Sequence, residues 1–593
     1  MKVSLSLIVT LTMVLHISSE RIYSRKRRQA IQSCDSLVFC QGNLLDTIQK
    51  ARIYADSKTF VDLSQINSEE VTLKNFENFM ASTNNKPSKS NITKFIKANF
   101  KSESEMEDWT PPDYKPNPPF LKSIYHSAMY FFAKDVVSLW PKLGRRIKKS
   151  VKDDPSRYSL IPVPEGFIIP GGRFREIYYW DSYWIIKGLI ISDMHDTAKG
   201  MLDNFIHLIK THGMIPNGSR VYYLNRSQPP LFTMMVDLYI SSRPDTKWLI
   251  ANVEHLDTEL MFWINERTIP VTKDGVEYKL AHYGPQSNTP RPESYNEDLI
   301  TCATFPSDDE KASCYIALKA GAESGWDFSS RWLFDRDGKT SSNLTSIDTK
   351  RIAPVDLNAF LYKSFSLLSE YYGGLGNTGK EAEWAERAKT WRDTIEAVFY
   401  DKDDGIWYDY DTKLNRNRKV FFASNFAPLW AQAYDLKKKS EYGKKAAEYM
   451  KAESIDTYLG GIPTSVEQSG EQWDLPNGWP PLQEFVVLGL HMTEHPEAQK
   501  IARTFANRWI SANMKGYQRD NAMYEKYDAV EPGVYGGGGE YEVQLGFGWT
   551  NGVALSFIHT FYSSAHSISK ALLKPYIYFG LISLIMYISN VLR

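Results

Sequence analysis

The sequence has no surplus of charge. Its 70 lysines and arginines meet 70 aspartates and glutamates, for a formal net charge of zero. It therefore carries no electrostatic footprint for a nucleic-acid partner. Cysteine is scarce, with four in 593 residues. None forms a CxxC pair and none clusters with histidine at metal-ligand spacing, which argues against structural zinc. Alternating βαβ patterns are also missing, so a parallel-sheet fold is not indicated. Apolar residues make up 42% and charged residues 24%, as in an ordinary globular protein. What stands out is the aromatic count, with 16 Trp and 35 Tyr. Rings in that number fill a large core or line a cleft for a flat, polar ligand.

The two ends read as sorting signals. Lys2, the apolar run Val3 to Ile17, and the small residues Ser18 and Ser19 have the order of a secretory signal peptide over 1–19. Arg25-Lys26-Arg27-Arg28 is either a processing site or a solvated basic tail. Near the other end, Ser563-Ser564-Ala565, a nine-residue spacer from His566 to Lys574 and the apolar stretch Tyr576 to Leu592 follow the order of a glycolipid-anchor signal over 563–593. A single membrane span is the alternative, against which the placement of Lys570 and Lys574 argues. Both readings put the protein on the extracellular face of the plasma membrane. Cys34, Cys40, Cys302 and Cys314 fit that oxidising route. They allow three pairings, of which sequence proximity favours 34–40 with 302–314. Sequons occur at Asn91, Asn217, Asn225 and Asn343.

Between the ends, Leu44 to Val61 has an amphipathic helical pattern, and Trp109 to Phe120 is a proline-rich strap. The segment 20–120 thus precedes a main domain at 121–562. There, apolar residues recur at three- and four-residue steps, as in Val355 to Tyr372 and Glu381 to Tyr400. Long helices joined by Gly- and aromatic-rich loops predict an all-α helical toroid, with its chemistry on loops at one end.

The loops carry an unusual mixture. "PGGRFREIYYWDSYW" (Pro170 to Trp184), "IPNGSR", "LNRSQPP", "GAESGWDFSSRW", "QWDLPNGWPP" and "MYEKYD" each combine Gly or Pro with ionic or amide groups and rings. Sugars are bound with such a kit: rings stack on their apolar faces while Arg, Asp, Glu and Asn bond their hydroxyls. Glycoside hydrolysis adds two carboxyl groups, one acid and one nucleophile or base. Singly, each segment has an ordinary structural explanation; the Asp of "WDFSS", for example, is a possible helix cap.

In combination and in order, "PGGRFREIYYWDSYW", "QWDLPNGWPP", "TPRPESY", "GAESGWDFSSRWL", "MYEKYD" and "GGGGEYEVQLGFGWTNG" resemble the segments of the α,α-trehalases of glycoside hydrolase family 37. The resemblance runs from about Cys34 to about Phe561. It implies an (α/α)6 barrel and an inverting hydrolase that takes trehalose and water and uses no metal or cofactor. It assigns Asp327 as general acid and Glu525 as general base. It places Arg173, Trp180 and Asp181, then Asn217, Arg226, Ser227 and Gln228, at the substrate. Arg291, Pro292 and Glu293, Gly325, and Glu540 behind four glycines complete the set, with Trp473 and Trp479 lining the pocket. Asp327 must hold a proton at working pH, which Trp326 and Phe328 help by apolar enclosure, while Glu525 must stay ionised. The chain departs from the family at Leu545, where an acidic residue is usual, and at Ser219, where Gly is common. Another α-glucosidase on the same fold, or an inactive sugar-binding membrane protein, are the competing readings; retention of both carboxylates favours the enzyme.

Overall fold

The computed structural model describes residues 32–539, 544 and 546–564. The expected signal peptide, the basic run and the C-terminal anchor segment beyond Ser564 lie outside the described residues. Helices dominate and follow one another as pairs. The first six barrel helices are α1 (Ser127–Val137), α2 (Asp181–Ile191), α3 (His195–His212), α4 (Phe232–Ser242), α5 (Thr246–Glu266) and α6 (Val355–Gly374). The rest are α7 (Thr378–Val398), α8 (Ala427–Ala431), α9 (Lys439–Ala452), α10 (Pro480–Met492), α11 (Pro496–Asp520) and α12 (Gly548–Tyr562). The even-numbered helices form an inner ring. Each touches the next from α2 round to α12, and α12 packs back on α2. The odd-numbered helices lie outside. This is the (α/α)6 barrel that the periodicity and the resemblance predict.

Side-chain pattern explains which helices go inside. Every residue of α2 is buried, and α12 is buried along nearly its whole length. A helix apolar all round is stable only when covered on all sides. In α11 the buried residues recur as Ala498, Ile501, Ala502, Phe505, Ala506 and Trp509, a single stripe at helical spacing. The helix ends are fixed locally: Asp245 accepts from the Trp248 N–H at the start of α5, and Asn377 from Lys380 N–H at the start of α7. Gly213, at φ 73°, ends α3 in the left-handed region.

The N-terminal segment departs from the single helix expected over Leu44 to Val61. A helix spans Gly42–Lys50, Arg52 takes φ 48°, and a short helix resumes at Lys58–Val61. The chain between them turns toward the barrel, where Asp56 and Ser57 find partners in Arg173 and Glu297. Val38, Leu45, Phe60, Phe76, Phe95 and Phe100 form a separate core that includes Tyr178 and Tyr223 of the barrel loops. The proline-rich stretch runs beside a small antiparallel sheet, with the Trp109 N–H donating to the Gly144 carbonyl. The disulfides are Cys34–Cys40 and Cys302–Cys314, the pairing that proximity favours. Among the described residues, no helix is long and apolar enough to cross a membrane.

Candidate active site

The N-terminal ends of the inner helices open on one end of the barrel, and the unusual loops gather there around a cavity of about 710 Å3, its open mouth included. Asp181 is the first residue of α2, where the helix dipole favours a carboxylate. Trp180 precedes it and donates its N–H to Gln228 Oε1 at 3.1 Å, so the first loop and the "NRSQ" loop hold each other in place. Asn217 donates from Nδ2 to the carbonyls of Ser227 and Ala322, at 3.3 and 3.4 Å.

Asp327 lies on the loop after the helix Asp308–Glu323. Gly325, at φ 75°, makes the turn into that loop, and a Cβ there would stand 2.7 Å from the Trp180 ring. Only glycine permits both the conformation and the approach. Trp326 and Phe328 on either side are buried. The loop is pinned to "QWDLP": Gln472 Nε2 donates to the Asp327 carbonyl, Trp473 N–H to the Phe328 carbonyl, and Ser329 and Ser330 to the Asp474 carboxylate. Trp326, Trp473 and Trp479 stack in series, with centroids 5.3 and 3.9 Å apart. The stack forms an apolar wall beside Asp327.

Glu525 reaches the same cavity from the loop after α11 and is 1% exposed. Its N–H donates to the Gln544 carbonyl at 3.0 Å, and its carbonyl accepts from Trp549 Nε1 at 2.9 Å. Next to it, Lys526 is fully buried, donates to Gln472 Oε1 at 2.8 Å and sits over Trp479. Gln472 therefore joins the backbone of Asp327 to the side chain beside Glu525. Burial draws the Lys526 ammonium down to about 8, opposed by the attraction of Glu525 and Asp327. Asp181 responds the other way. Burial raises its carboxyl well above the ordinary range, and the negative fields of Glu525 and Asp327 add to that. Two further carboxyl groups beside Asp181 thus favour its keeping a proton.

The cations face these carboxyls already anchored. Arg173 pairs with Asp56 at 2.6 Å, Arg226 with Glu293 at 2.5 Å, and Arg291 with Asp298 at 2.6 Å. Such pairs hold the guanidinium planes in fixed orientation for a ligand rich in hydroxyls.

The cavity thus gathers Asp327, Glu525, Arg173, Trp180, Asp181 and Asn217, and also Arg226, Gln228, Arg291, Glu293, Gly325, Trp473 and Trp479. Ser227 and Pro292 lie just behind it. The Ser227 hydroxyl donates to the Ile215 carbonyl, and the Pro292 carbonyl accepts from Gln49. Glu540 and Leu545 lie outside the described residues. Sequence reasoning passed over Lys58, Phe174, Tyr178, Tyr223, Phe547 and Trp549, which also line the cavity. Lys58 is held by Glu176 at 2.9 Å and by Asp62. For all of these but Lys58, which opens the short helix Lys58–Val61, the signal in the sequence was a place inside or beside the same unusual loops.

Comparison with known proteins follows the same outline. The trehalase family model matches residues 52–562. The trehalase of Tenebrio molitor is 52% identical over 536 residues, 90% of this chain and 97% of the relative. The trehalase of Homo sapiens is 42% identical over 547 residues, covering 92% of each. Among solved structures, the neutral trehalase from Saccharomyces cerevisiae superposes with a TM-score of 0.52 at 25% identity, over 68% of this chain and 75% of that one.

Proposed function

The chain belongs to the trehalase family, and on that premise we propose an inverting acid–base mechanism with Asp327 as acid and Glu525 as base. The activity itself follows from the family: the protein is an α,α-trehalase, a glycosidase that hydrolyses trehalose. In the proposed step, Glu525 takes a proton from a water molecule as its oxygen attacks one anomeric carbon. Asp327 gives its proton to the glycosidic oxygen, and the C–O bond breaks. One glucose leaves as the β-anomer and the other as the α-anomer. Room for the water calls for carboxyls about 6.5–9.5 Å apart.

The observation that supports this reading most directly is that Asp327 and Glu525, 198 positions apart by their numbers, line one cavity from separate loops, with indoles behind the acid. Asp181, Arg173, Arg226 and Asn217 are then the hydroxyl-binding groups. Asp327→Asn and Glu525→Gln are each expected to lower kcat by ~10²–10⁴-fold with folding intact. Early-time NMR of the glucose anomers checks the stereochemistry. Equal amounts of α- and β-glucose are expected; α-glucose alone would make the reaction retaining and Glu525 a nucleophile. Hydrolysis of maltose in preference to trehalose would favour the broader α-glucosidase reading.

The same reading extends to location. The order of small residues, spacer and apolar tail at the C-terminal end, with a secretory leader at the other, supports a lipid-anchored protein on the extracellular face of the plasma membrane. Phosphatidylinositol-specific phospholipase is expected to release the enzyme from cells. A membrane-bound form that retains a peptide from Tyr576 to Leu592 would instead be a single-span protein.

A further inference from the structure

The barrel has a second cavity, of about 1080 Å3 with its open mouth included, lined by side chains from all six inner helices. It extends from the middle of these helices toward their C-terminal ends, where Ile191, Met492 and Thr560 line it, away from the loops that hold Asp327 and Glu525. Buried rings close the space between the two sites. Trp180 packs on Trp184, Trp184 on Phe485, and Phe485 on Trp430, with centroids 5.5, 5.9 and 4.7 Å apart. Only the last of these reaches the second cavity, and only the first reaches the active site.

Groups of both charge types meet at this second cavity. Lys187 on α2 lies 3.0 Å from Glu484 on α10. Asp237 on α4 accepts from Tyr371 and Ser241 through Oδ1, and burial raises its carboxyl against the attraction of Lys363 on α6. His559 on α12 is drawn down to about 4 by burial and by Lys187, and burial together with Arg503 lowers His491 on α10. Both imidazoles are therefore neutral at neutral pH. The helix ends add carbonyl dipoles that oppose an anion, while two lysines oppose a cation. An uncharged ligand meets neither objection.

Its chemistry is set by the groups left to satisfy. Ser556 and His559 line the cavity and are 1% and 4% exposed, and Ser556 Oγ and His559 Nε2, closed off from solvent, have no hydrogen-bond partner among the described residues. Buried polar atoms of this kind are normally paired. Beside them Tyr183 and Trp430 meet edge to face at 5.5 Å and make an apolar corner, and Gln432 stands at the rim as the C-cap of α8. Hydroxyl-binding groups opposite aromatic faces are the requirements of a sugar.

We propose that this cavity is a second binding site, separate from the active site, for an uncharged sugar or polyol. The ligand lays an apolar face against Trp430 and Tyr183 and hydrogen-bonds Ser556, His559 and Asp237.

Met234 and Met492 line this cavity, and no methionine lines the active site among the described residues. The full-length protein labelled with 13C at methionine methyls, with the two signals assigned through Met234→Leu and Met492→Leu, reports on it directly. Titration with D-glucose is expected to move both signals along one saturable curve. Ser556→Ala and His559→Phe are each expected to weaken the apparent affinity by roughly fivefold or more, about the worth of one hydrogen bond. The remaining methionine signals report whether each variant is folded. Asp327→Asn is expected to leave the curve unchanged, so the result does not depend on the catalytic assignment. The proposal is overturned by no saturable shift, by an unaltered affinity in the folded variants, or by loss of the shift in Asp327→Asn. It is equally overturned if gluconate or glucosamine binds here in preference to glucose.

Discussion

Asp181, in its proposed role as a hydroxyl-binding group, trades stability for binding. It is 5% exposed, and burial raises its carboxyl well above the ordinary range, with Glu525 and Asp327 reinforcing the shift. Below the ordinary carboxylate range both the folded and unfolded chains hold the proton, and the residue makes no net demand. Above that range the unfolded chain releases its proton while the folded site retains it. Stability then falls by about 1.4 kcal/mol for each pH unit until the folded carboxyl also ionises. Asp181→Asn removes this penalty. Its gain in Tm over the parent is expected to grow as pH rises above the ordinary carboxylate range, at about pH 4, as thermal melts over a rising pH series will show. Its kcat/KM for trehalose should nonetheless drop roughly tenfold or more, from one lost hydrogen bond to a hydroxyl. A gain in Tm that did not vary with pH would place the effect in packing rather than in titration.

At the scale of elements, the sequence was most legible where a helix has one wet face. Val355 to Tyr372 reads as a helix and forms one at Val355–Gly374, and Glu381 to Tyr400 falls within two to three residues of Thr378–Val398. An inner helix such as α2 has no such stripe, since all of its residues are buried, and its periodicity is silent for that reason. The break after Lys50 was illegible for another reason. Residues 51–57 have the composition of a helix, but Asp56 is drawn to Arg173 and Ser57 to Glu297. Partners from the barrel prevail there over local propensity. The site was legible as a set of loops, whereas the ion pairs that orient its arginines were not, because Asp56 and Asp298 sit in segments with no unusual composition. The loops also decide which sequons take a glycan. Asn217 is 5% exposed, with its amide nitrogen committed to two carbonyls, and Asn225 accepts from the Ser287 N–H through Oδ1. Asn343 lies in an exposed turn and Asn91 in the partly exposed first turn of a surface helix. Glycopeptide mass spectrometry is expected to find sugar at Asn91 and Asn343 and bare side chains at Asn217 and Asn225. Full occupancy of Asn217 in active enzyme would remove that residue from the substrate pocket.

For the whole molecule, everything depends on closing the ring. The last inner helix must return to the first, because α12 supplies the wall that covers α2 on its remaining side. The two helices meet through glycines. A Cβ on Gly188 would lie 2.9 Å from the Gly552 Cα, and one on Gly552 would fall on the Trp184 carbonyl oxygen. No side chain fits between backbones that close, so Gly552→Ala must push α12 outward. The displacement would reach both ends of the barrel at once. Toward the active site, Trp549 on α12 bonds the Glu525 carbonyl; toward the other end, Ser556 and His559 face the second cavity. Overpacking of a tight core costs about 1–3 kcal/mol, occasionally more, and here the close atoms are backbone, which cannot rotate away. Gly537, with no atom within 4 Å of its would-be Cβ, is the matched control. Gly552→Ala is expected to lower Tm by several degrees and to cut kcat, whereas Gly537→Ala should leave Tm within a degree or so of the parent. The comparison is made by melting both variants and assaying the folded fraction of each. An unchanged Tm for Gly552→Ala would mean that the contact between α2 and α12 is loose, and that the barrel is held shut by its outer helices instead.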